Sequence, residues 1–493
     1  MFLSSSVDDW QTPPGSKSRA RVVLIRLATW LERASAHPEN VMAPLDLGYA
    51  AALLERAGHA YRLIDTELGA WDEVRLVADL EADRPDLIVI HTTSTNVPLL
   101  RRLTARLRET LPDTFLLSVG QHATTLPETI LGDDQCHACG LQECEAIITD
   151  VAANLGGDLR SVPGLVLADS SEPSGAFRTP ERALEEDLDA LPLPLHRLFV
   201  DRNYRVYHPT GIRRRIRWGF AMTTRGCPYP CVYCSGTLRN SSGRAYRKRS
   251  PESVVEEVQL LQRLGMTVMH FKDDIFTLDR DHSLGLLEAL ARMPQRMPFT
   301  VQTRVDRVDP TIFRALKAAG CTTVSFGVES GSQVIVDRLK KMATVEQARV
   351  AFREAREAGL LRVGFFLLGN PDETRDDIEK TLALAKELDP EILQCGFLTP
   401  YPGTGTWKEL PEAERPTDFG NLSHYNQAWN PSRVSNEDLL TYQKRFYKEI
   451  VFTPRFLLRY AHIRRWEVAL NPERELPFAR EAVKFLLKQR ARA

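Results

Sequence analysis

Residues 218–236 read WGFAMTTRGCPYPCVYCSG, and this stretch decides the fold. Its first part, WGFAMTT, is an apolar run of strand length. Gly226 then marks a turn, and Cys227, Cys231 and Cys234 follow at CxxxCxxC spacing. Thiolates are the soft ligands that iron–sulfur clusters require, and three so close on one loop can converge on one face of a cubane. One iron is then left without a protein ligand. Zinc is a competing reading, but it wants a fourth Cys or His nearby, and the loop continues SGTLRNSSGRAYRKRS without either. Three unpaired core cysteines are the other alternative.

Toward the carboxy terminus the apolar runs recur as TVMHFK (267–272), FTVQT (299–303), TVSFGV (323–328), VGFFLLG (363–369) and ILQCGFLT (392–399). Amphipathic stretches separate them, among them PESVVEEVQLLQRLG from 251 and TVEQARVAFREAREAG from 344, the latter with a Thr start and a Gly stop. This alternation predicts a parallel barrel, or an open part of one, over residues 216–405: a partial (β/α)6 arrangement. Functional groups belong in the loops after its strands. Those loops carry Asp273 and Asp274, then Arg304 and Asp306, then Glu329, then Gly369. Taken singly, Arg304 with Asp306 reads equally as a structural ion pair, and Gly369 as a turn.

Toward the amino terminus, strands RVVLIRL (21–27), YRLID (61–65), DLIVIHTT (86–93) and TFLLSVG (114–120) alternate with helical stretches at PLDLGYAAALLERAGH and Leu99 to Thr110. They predict an α/β, doubly wound domain over residues 21–155. No GxGxxG follows the first strand, which argues against a dinucleotide site. Residues 1–20 read as a flexible tail, 156–215 as a linker with Pro-spaced extended stretches, and 406–493 as a helical carboxy-terminal region. REAVKFLLKQR (480–490) is basic and amphipathic, and a solvated surface helix is preferred over a membrane or partner face. Cys136, His137, Cys139 and Cys144 suggest a second metal site, but buried packing is the preferred reading.

Lys and Arg total 64 against 65 for Asp and Glu in 493 residues, so no basic face invites nucleic acid. No apolar run approaches the ~18 residues of a transmembrane segment, and no signal-peptide pattern opens the chain. A cytoplasmic protein acting on a small molecule is expected. The eight cysteines are grouped, which favours metal or redox chemistry over disulfides.

The CxxxCxxC loop, with aromatic Tyr233 before the last cysteine, resembles the radical S-adenosylmethionine superfamily. The resemblance implies a [4Fe–4S] cluster on Cys227, Cys231 and Cys234. It also implies cleavage of S-adenosylmethionine to methionine and a 5′-deoxyadenosyl radical, with an electron donor such as flavodoxin or ferredoxin. It places Tyr233 and the Gly369 loop near the adenine, Asp273 and Asp274 at the ammonium, Arg304 at the carboxylate, and Glu329 near the methionine or ribose part. In front, PLDLGYAAALLERAGHAYRLID is similar to the PPLGLxYLAAxLRxxGHxVxxxD of cobalamin-binding radical enzymes. GQHATTLPETIL is similar to their GGPHATxxPEExL, with Gly120 and His122 matching and Gln121 in place of the second glycine.

This second resemblance implies a Rossmann-like cobalamin-binding domain of the class B methyltransferase type, with the corrinoid tail near Thr93, Ser94 and Gly120. His122 belongs to the adjoining loop. The DxHxxG that supplies cobalt with a histidine in other cobalamin proteins is absent, and GLQECEA (140–146) departs from the family's GEGE-like run. The implied reaction is methylation of an unactivated carbon. The alternatives are a non-methylating ring contraction, cyclisation or oxidative rearrangement, and a non-catalytic iron–sulfur or corrinoid sensor.

Overall fold

Strands such as VVLI and LIVI have no polar side, so they reach a stable state only with both faces covered. The structure is a computed structural model and describes residues 10–12, 20–28, 41–69, 72–133, 135–206, 209–234, 242–427 and 429–472. The expected helix at 480–490 and most of the 1–20 tail lie outside these residues. β1 (Arg21–Arg26), β2 (Ala60–Asp65), β3 (Leu87–His91), β4 (Phe115–Val119) and β5 (Ala138–Gly140) form parallel ladders in the order β2-β1-β3-β4-β5. From β1 the chain passes through helix Leu45–Ala57 to β2 on one side, then crosses back to β3 on the other. The switch point therefore lies between the carboxyl ends of β1 and β3, the crevice where open α/β sheets bind ligands.

Residues 156–215 are more than the linker read from the sequence. β6 (Leu165–Ala168) and β7 (Ala176–Arg178) extend the sheet past β5 by antiparallel pairing. Strands of three or four residues are too short to show a period, so the prolines dominated the reading. The tail is corrected too: Gln11 N donates to Tyr61 O at 2.8 Å and Trp10 Nε1 to Asp83 at 3.0 Å, docking residues 10–12 on the domain.

The second half opens with β8 (Trp218–Ala221), followed by the small antiparallel pair β9 (Thr224–Arg225) and β10 (Arg247–Lys248). β11 (Val268–Phe271), β12 (Phe299–Arg304), β13 (Cys321–Glu329), β14 (Leu361–Leu368) and β15 (Ile392–Phe397) then join β8 in one parallel sheet, ordered β15-β14-β13-β12-β11-β8. β8 and β15 are its edges, so the barrel is open. Its helices start on side-chain caps: Ser250 accepts from Ser253 N, while Thr344 with Gln347 and Thr374 with Asp377 form reciprocal boxes.

Three large apolar cores organise the described residues. One lies between the barrel strands and their helices, with Phe271, Phe299, Phe326 and Phe366 of the strands and Val258, Leu287, Phe313 and Phe352 of the helices. A second is shared, packing Leu24, Leu47, Val89 and Phe199 against Trp218, Phe220, Met222 and Val268 of the barrel. The third covers the other face of the first sheet and takes Trp407, Phe419 and Leu422 from the carboxy-terminal region. The later helices Asn436–Phe446 and Pro454–Leu470 turn to the barrel, where the Phe446 ring lies 6.1 Å from that of Phe366 and Glu467 accepts from Thr210 N. Cys136 and Cys139 are buried in the third core and Cys144 in the second, on opposite faces of the sheet. No helix among the described residues is long and apolar enough to cross a membrane.

Candidate active site

Beyond β8 the chain must turn sharply, and buried polar groups fix the turn. Asp273, fully buried, accepts from Thr223 N at 3.0 Å, Thr223 Oγ1 at 2.7 Å and Thr224 Oγ1 at 2.6 Å. Burial raises its pKa against these donors. Asp273 thus anchors the cysteine loop, its Oδ1 taking up all three donors, a structural use beyond its expected place at the ammonium of S-adenosylmethionine. Asp274 follows, half-buried at the same strand end. Gly226 has φ 86°, and a Cβ there would collide with Ala245 O, so the approach of β10 requires glycine.

Cys227 and Cys231 are buried and Cys234 partly so, in one apolar nest with Tyr229, Ile275, Tyr233 and Leu278. Arg304 backs this nest. Its Nε and Nη2 donate to Asp306 at 2.8 and 3.1 Å, Nη1 lies 3.7 Å from Cys231 Sγ, and the guanidinium sits 3.6 Å over the Tyr229 ring. Nη2 also donates to Lys341 O. Nε and Nη2 are thus committed to Asp306, and Nη1 is the nitrogen left to meet the expected carboxylate without displacing it; the positive charge also complements a thiolate at Cys231.

Glu329 ends β13 with φ 67°, where the register against β14 shifts. Tyr233 OH donates to its Oε1 at 3.0 Å, and Lys341 Nζ lies 3.0 Å from that oxygen and 3.2 Å from the Tyr233 hydroxyl. Burial and Glu329 push the Tyr233 hydroxyl pKa up, keeping it a donor. A side chain at Gly327 would strike Glu329 and Lys341, so this triad needs glycine there. Sequence reasoning missed Lys341, whose reach depends on left-handed Lys340 (φ 50°) and Met342 (φ 57°). No motif announces such a turn. Gly369, φ 76°, opens a loop stapled by Glu373, which accepts from Gly369 N at 2.7 Å, Asn370 N at 3.1 Å and Asn370 Nδ2 at 2.8 Å. Burial nevertheless pushes Glu373 up to about 7.

At the carboxyl ends of the first sheet, Gly120 (φ 101°) is closely packed: a Cβ there would lie 2.9 Å from Thr92 O and 3.0 Å from His91 Nε2. Thr93 N donates to Asn96 Oδ1 at 3.0 Å, fixing the turn after β3. His122 is fully buried, with Nδ1 3.1 Å from Ser94 Oγ, Nε2 2.8 Å from Thr129 Oγ1 and its ring on Phe419. Burial and Arg101 lower its pKa to about 3. Ser94 and His122 therefore support the crevice from beneath. His91 Nε2 pairs with Asp46 at 3.0 Å, and Lys272, just past β11, donates to Ala43 O at 3.3 Å. Neither pair was anticipated, since each joins residues distant in sequence.

A buried charge network closes the interface. Arg225, immediately before the cysteine loop, reaches Glu143 at 3.3 Å and Glu145 at 2.8 Å and lies 4.8 Å over the Tyr49 ring; Arg247 also holds Glu143. Burial opposes, yet the arginines hold Glu143 below its ordinary pKa, while burial carries Glu145 above it. A cavity of 690 Å³ lies alongside, walled by Gln142, Glu143, Arg178, Arg182 and Arg225 among others.

Residues 222–385 match the radical SAM superfamily and residues 34–152 the B12 binding domain. An uncharacterised methyltransferase of Pyrococcus horikoshii is 30% identical over 374 residues, covering 74% of this chain and 78% of that protein. The chain belongs to the cobalamin-binding radical S-adenosylmethionine enzymes. Another member-like relative, the anaerobic magnesium-protoporphyrin IX monomethyl ester cyclase of Cereibacter sphaeroides, is 25% identical over 426 residues, covering 83% of this chain and 68% of its own length. The radical S-adenosylmethionine methyltransferase TsrM from Kitasatospora setae, solved with cobalamin and a [4Fe–4S] cluster, shares the fold with TM-score 0.66 at 23% identity, over 80% of this chain and 75% of that one. The radical domain of this enzyme implies a [4Fe–4S] cluster and S-adenosylmethionine, and its B12-binding domain implies cobalamin. The residues fit these groups: the nest offers three sulfur donors, and the crevice between the carboxyl ends of β1 and β3 is where open α/β sheets take ligands.

Proposed function

We propose that this cobalamin-binding radical enzyme methylates an unactivated carbon of a small molecule, with Cys227, Cys231 and Cys234 holding the cluster. One observation carries the reading: the cysteine loop and the corrinoid crevice meet across a single buried interface. Asp273 ties down the start of the loop, and its neighbour Lys272 bonds Ala43 O, beside the helix whose Asp46 pairs with His91. When bound, the cluster supplies the electron that cleaves S-adenosylmethionine, and the corrinoid supplies a methyl carrier suited to a carbon radical. Tyr233, Glu329 and Lys341 bind polar parts of S-adenosylmethionine, with Asp274 and the Gly369 loop at its flanks. Arg304 holds the cluster loop against Asp306. Thr93 and Gly120 line the crevice for the corrinoid tail, and Ser94 and His122 keep its floor rigid. In this reading a flavodoxin- or ferredoxin-class protein delivers the electron, in the cytoplasm.

Similarity to the anaerobic cyclase favours a second reading, a cobalamin-dependent rearrangement without methyl transfer. The test is anaerobic incubation of the holoenzyme with a small-molecule extract and S-adenosylmethionine labelled in its methyl group. Labelled product that requires cobalamin supports methylation. Unlabelled product that requires cobalamin selects the second reading. Equal labelling in cobalamin-free protein overturns both.

A further inference from the structure

We propose that an acidic one-electron carrier protein docks on the surface of Arg307, Lys340 and Met342, immediately behind Cys231. The cysteine nest is buried, so an electron delivered by a protein must enter through the exposed surface that lies nearest its sulfurs. Arg304 marks where that is. Its Nη1 lies 3.7 Å from Cys231 Sγ, while its Nη2 donates to Lys341 O and lies 3.3 Å from Met342 O. Its guanidinium also sits 3.6 Å over the Tyr229 ring, and the Tyr229 hydroxyl accepts from Nε of Arg307. Two short chains of contacts therefore run from Cys231 to the outside, one through Arg304 to the backbone of 341–342 and one through Tyr229 to Arg307.

What these chains reach has the make-up of a contact surface. Met342 is 65% exposed with Lys340 exposed beside it, both in the left-handed region that disfavours side chains. A methionine held outward in this way adds little to the core of its own chain, and its flexible thioether suits the adaptable centre of an interface. Arg307 keeps 44% of its side chain exposed, and the carboxylate it reaches, Asp306 at 3.9 Å, is already held by Arg304. Lys340 has no ion-pair partner among the described residues. Near Leu278 of the nest, the exposed Lys248 and Arg280 are by contrast neutralised by Asp279 and Asp309. An apolar centre beside two unneutralised cations matches a partner rich in carboxylates, and such charges raise the rate of encounter more than the affinity. The transfer moves one electron: the carrier is oxidised by one and the cluster reduced by one, with no bond or proton exchanged.

This docking surface rests on the cluster and electron-donor readings above, and its test separates from them. The anaerobic holoenzyme is given S-adenosylmethionine and either reduced flavodoxin, an acidic one-electron protein, or dithionite, which is too small to need a docking surface. Formation of 5′-deoxyadenosine is measured at flavodoxin concentrations where the rate rises linearly with the carrier. The flavodoxin rate should fall steeply as salt rises from roughly 0.05 to 0.5 M, which shortens the screening length about threefold, while the dithionite rate holds. Arg307→Gln should lower the flavodoxin rate about fivefold and Arg307→Glu further, with Arg307→Lys restoring most of it and iron content and the dithionite rate unchanged in all three. A flavodoxin rate indifferent to salt, an undiminished flavodoxin rate in Arg307→Glu, or equal losses with both reductants each overturns the proposal, as does an enzyme that turns over with dithionite but not with flavodoxin. The salt series needs no substitution, so it decides even if the variants fold poorly. Absence of 5′-deoxyadenosine with dithionite in the unsubstituted enzyme would overturn the radical reading itself, and this proposal with it.

Discussion

Single side chains divide here into those that a local pattern reveals and those that only the fold explains. The cysteine triad is legible because its members share one loop. Cys227→Ala, Cys231→Ala or Cys234→Ala should each remove most cluster iron and abolish 5′-deoxyadenosine formation, whereas Cys321→Ala and Cys395→Ala, buried in the barrel core, should keep both. Iron analysis and product chromatography check this, and cluster loss from a singleton would refute the ligand set. Asp273 and Arg304 show that a polar residue at a strand end gives no sign of which neighbours also take up its hydrogen bonds. Lys341 escaped notice because its reach to Glu329 depends on two left-handed residues. Lys341→Met should weaken S-adenosylmethionine binding by roughly ten- to a hundredfold, about 1.5–3 kcal/mol for a charge-assisted contact, while iron content stays intact. Unchanged affinity in equilibrium binding would remove Lys341 from the site.

Elements show where pattern reading gives out. The long parallel strands were read correctly from their apolar runs, but β6 and β7 were lost in the Pro-rich connector. The charge network after β5 is a tertiary device without a motif. Glu143→Gln leaves Arg247 buried beside a neutral partner and Arg225 with Glu145 alone and should cost about 3 kcal/mol, visible as a lower thermal midpoint with reduced cluster retention. An unchanged midpoint would show that the network carries no load. Buried histidines give the first domain a pH dependence. Burial holds His122 at about 3 and His137 at about 4, below the ordinary 6.5. Their neutral forms contribute stability that is fully present above pH 6.5 and is lost as pH falls toward those values. The thermal midpoint should therefore drop between pH 6.5 and 4, and drop less steeply in His122→Gln. Parallel slopes for the two proteins would contradict this.

The whole molecule is less divisible than its two family matches suggest. Trp218, Phe220, Met222 and Val268 of the barrel pack in the core of the first domain, and Trp407 and Phe419 return to cover its other face. A chain cut at residue 201 would expose the shared core, so calorimetry of the intact protein should show one cooperative transition. Two separated transitions would contradict the shared core. The central claim is that one interface brings a cluster and a corrinoid together. The direct measurement is anaerobic reconstitution with iron, sulfide and cobalamin, followed by gel filtration, metal analysis and an ultraviolet–visible spectrum. The expected result is about four iron atoms and one cobalt per chain, with the broad cluster absorption and the corrinoid bands in the same peak. Iron without cobalt, or cobalt without iron, in that peak would contradict it.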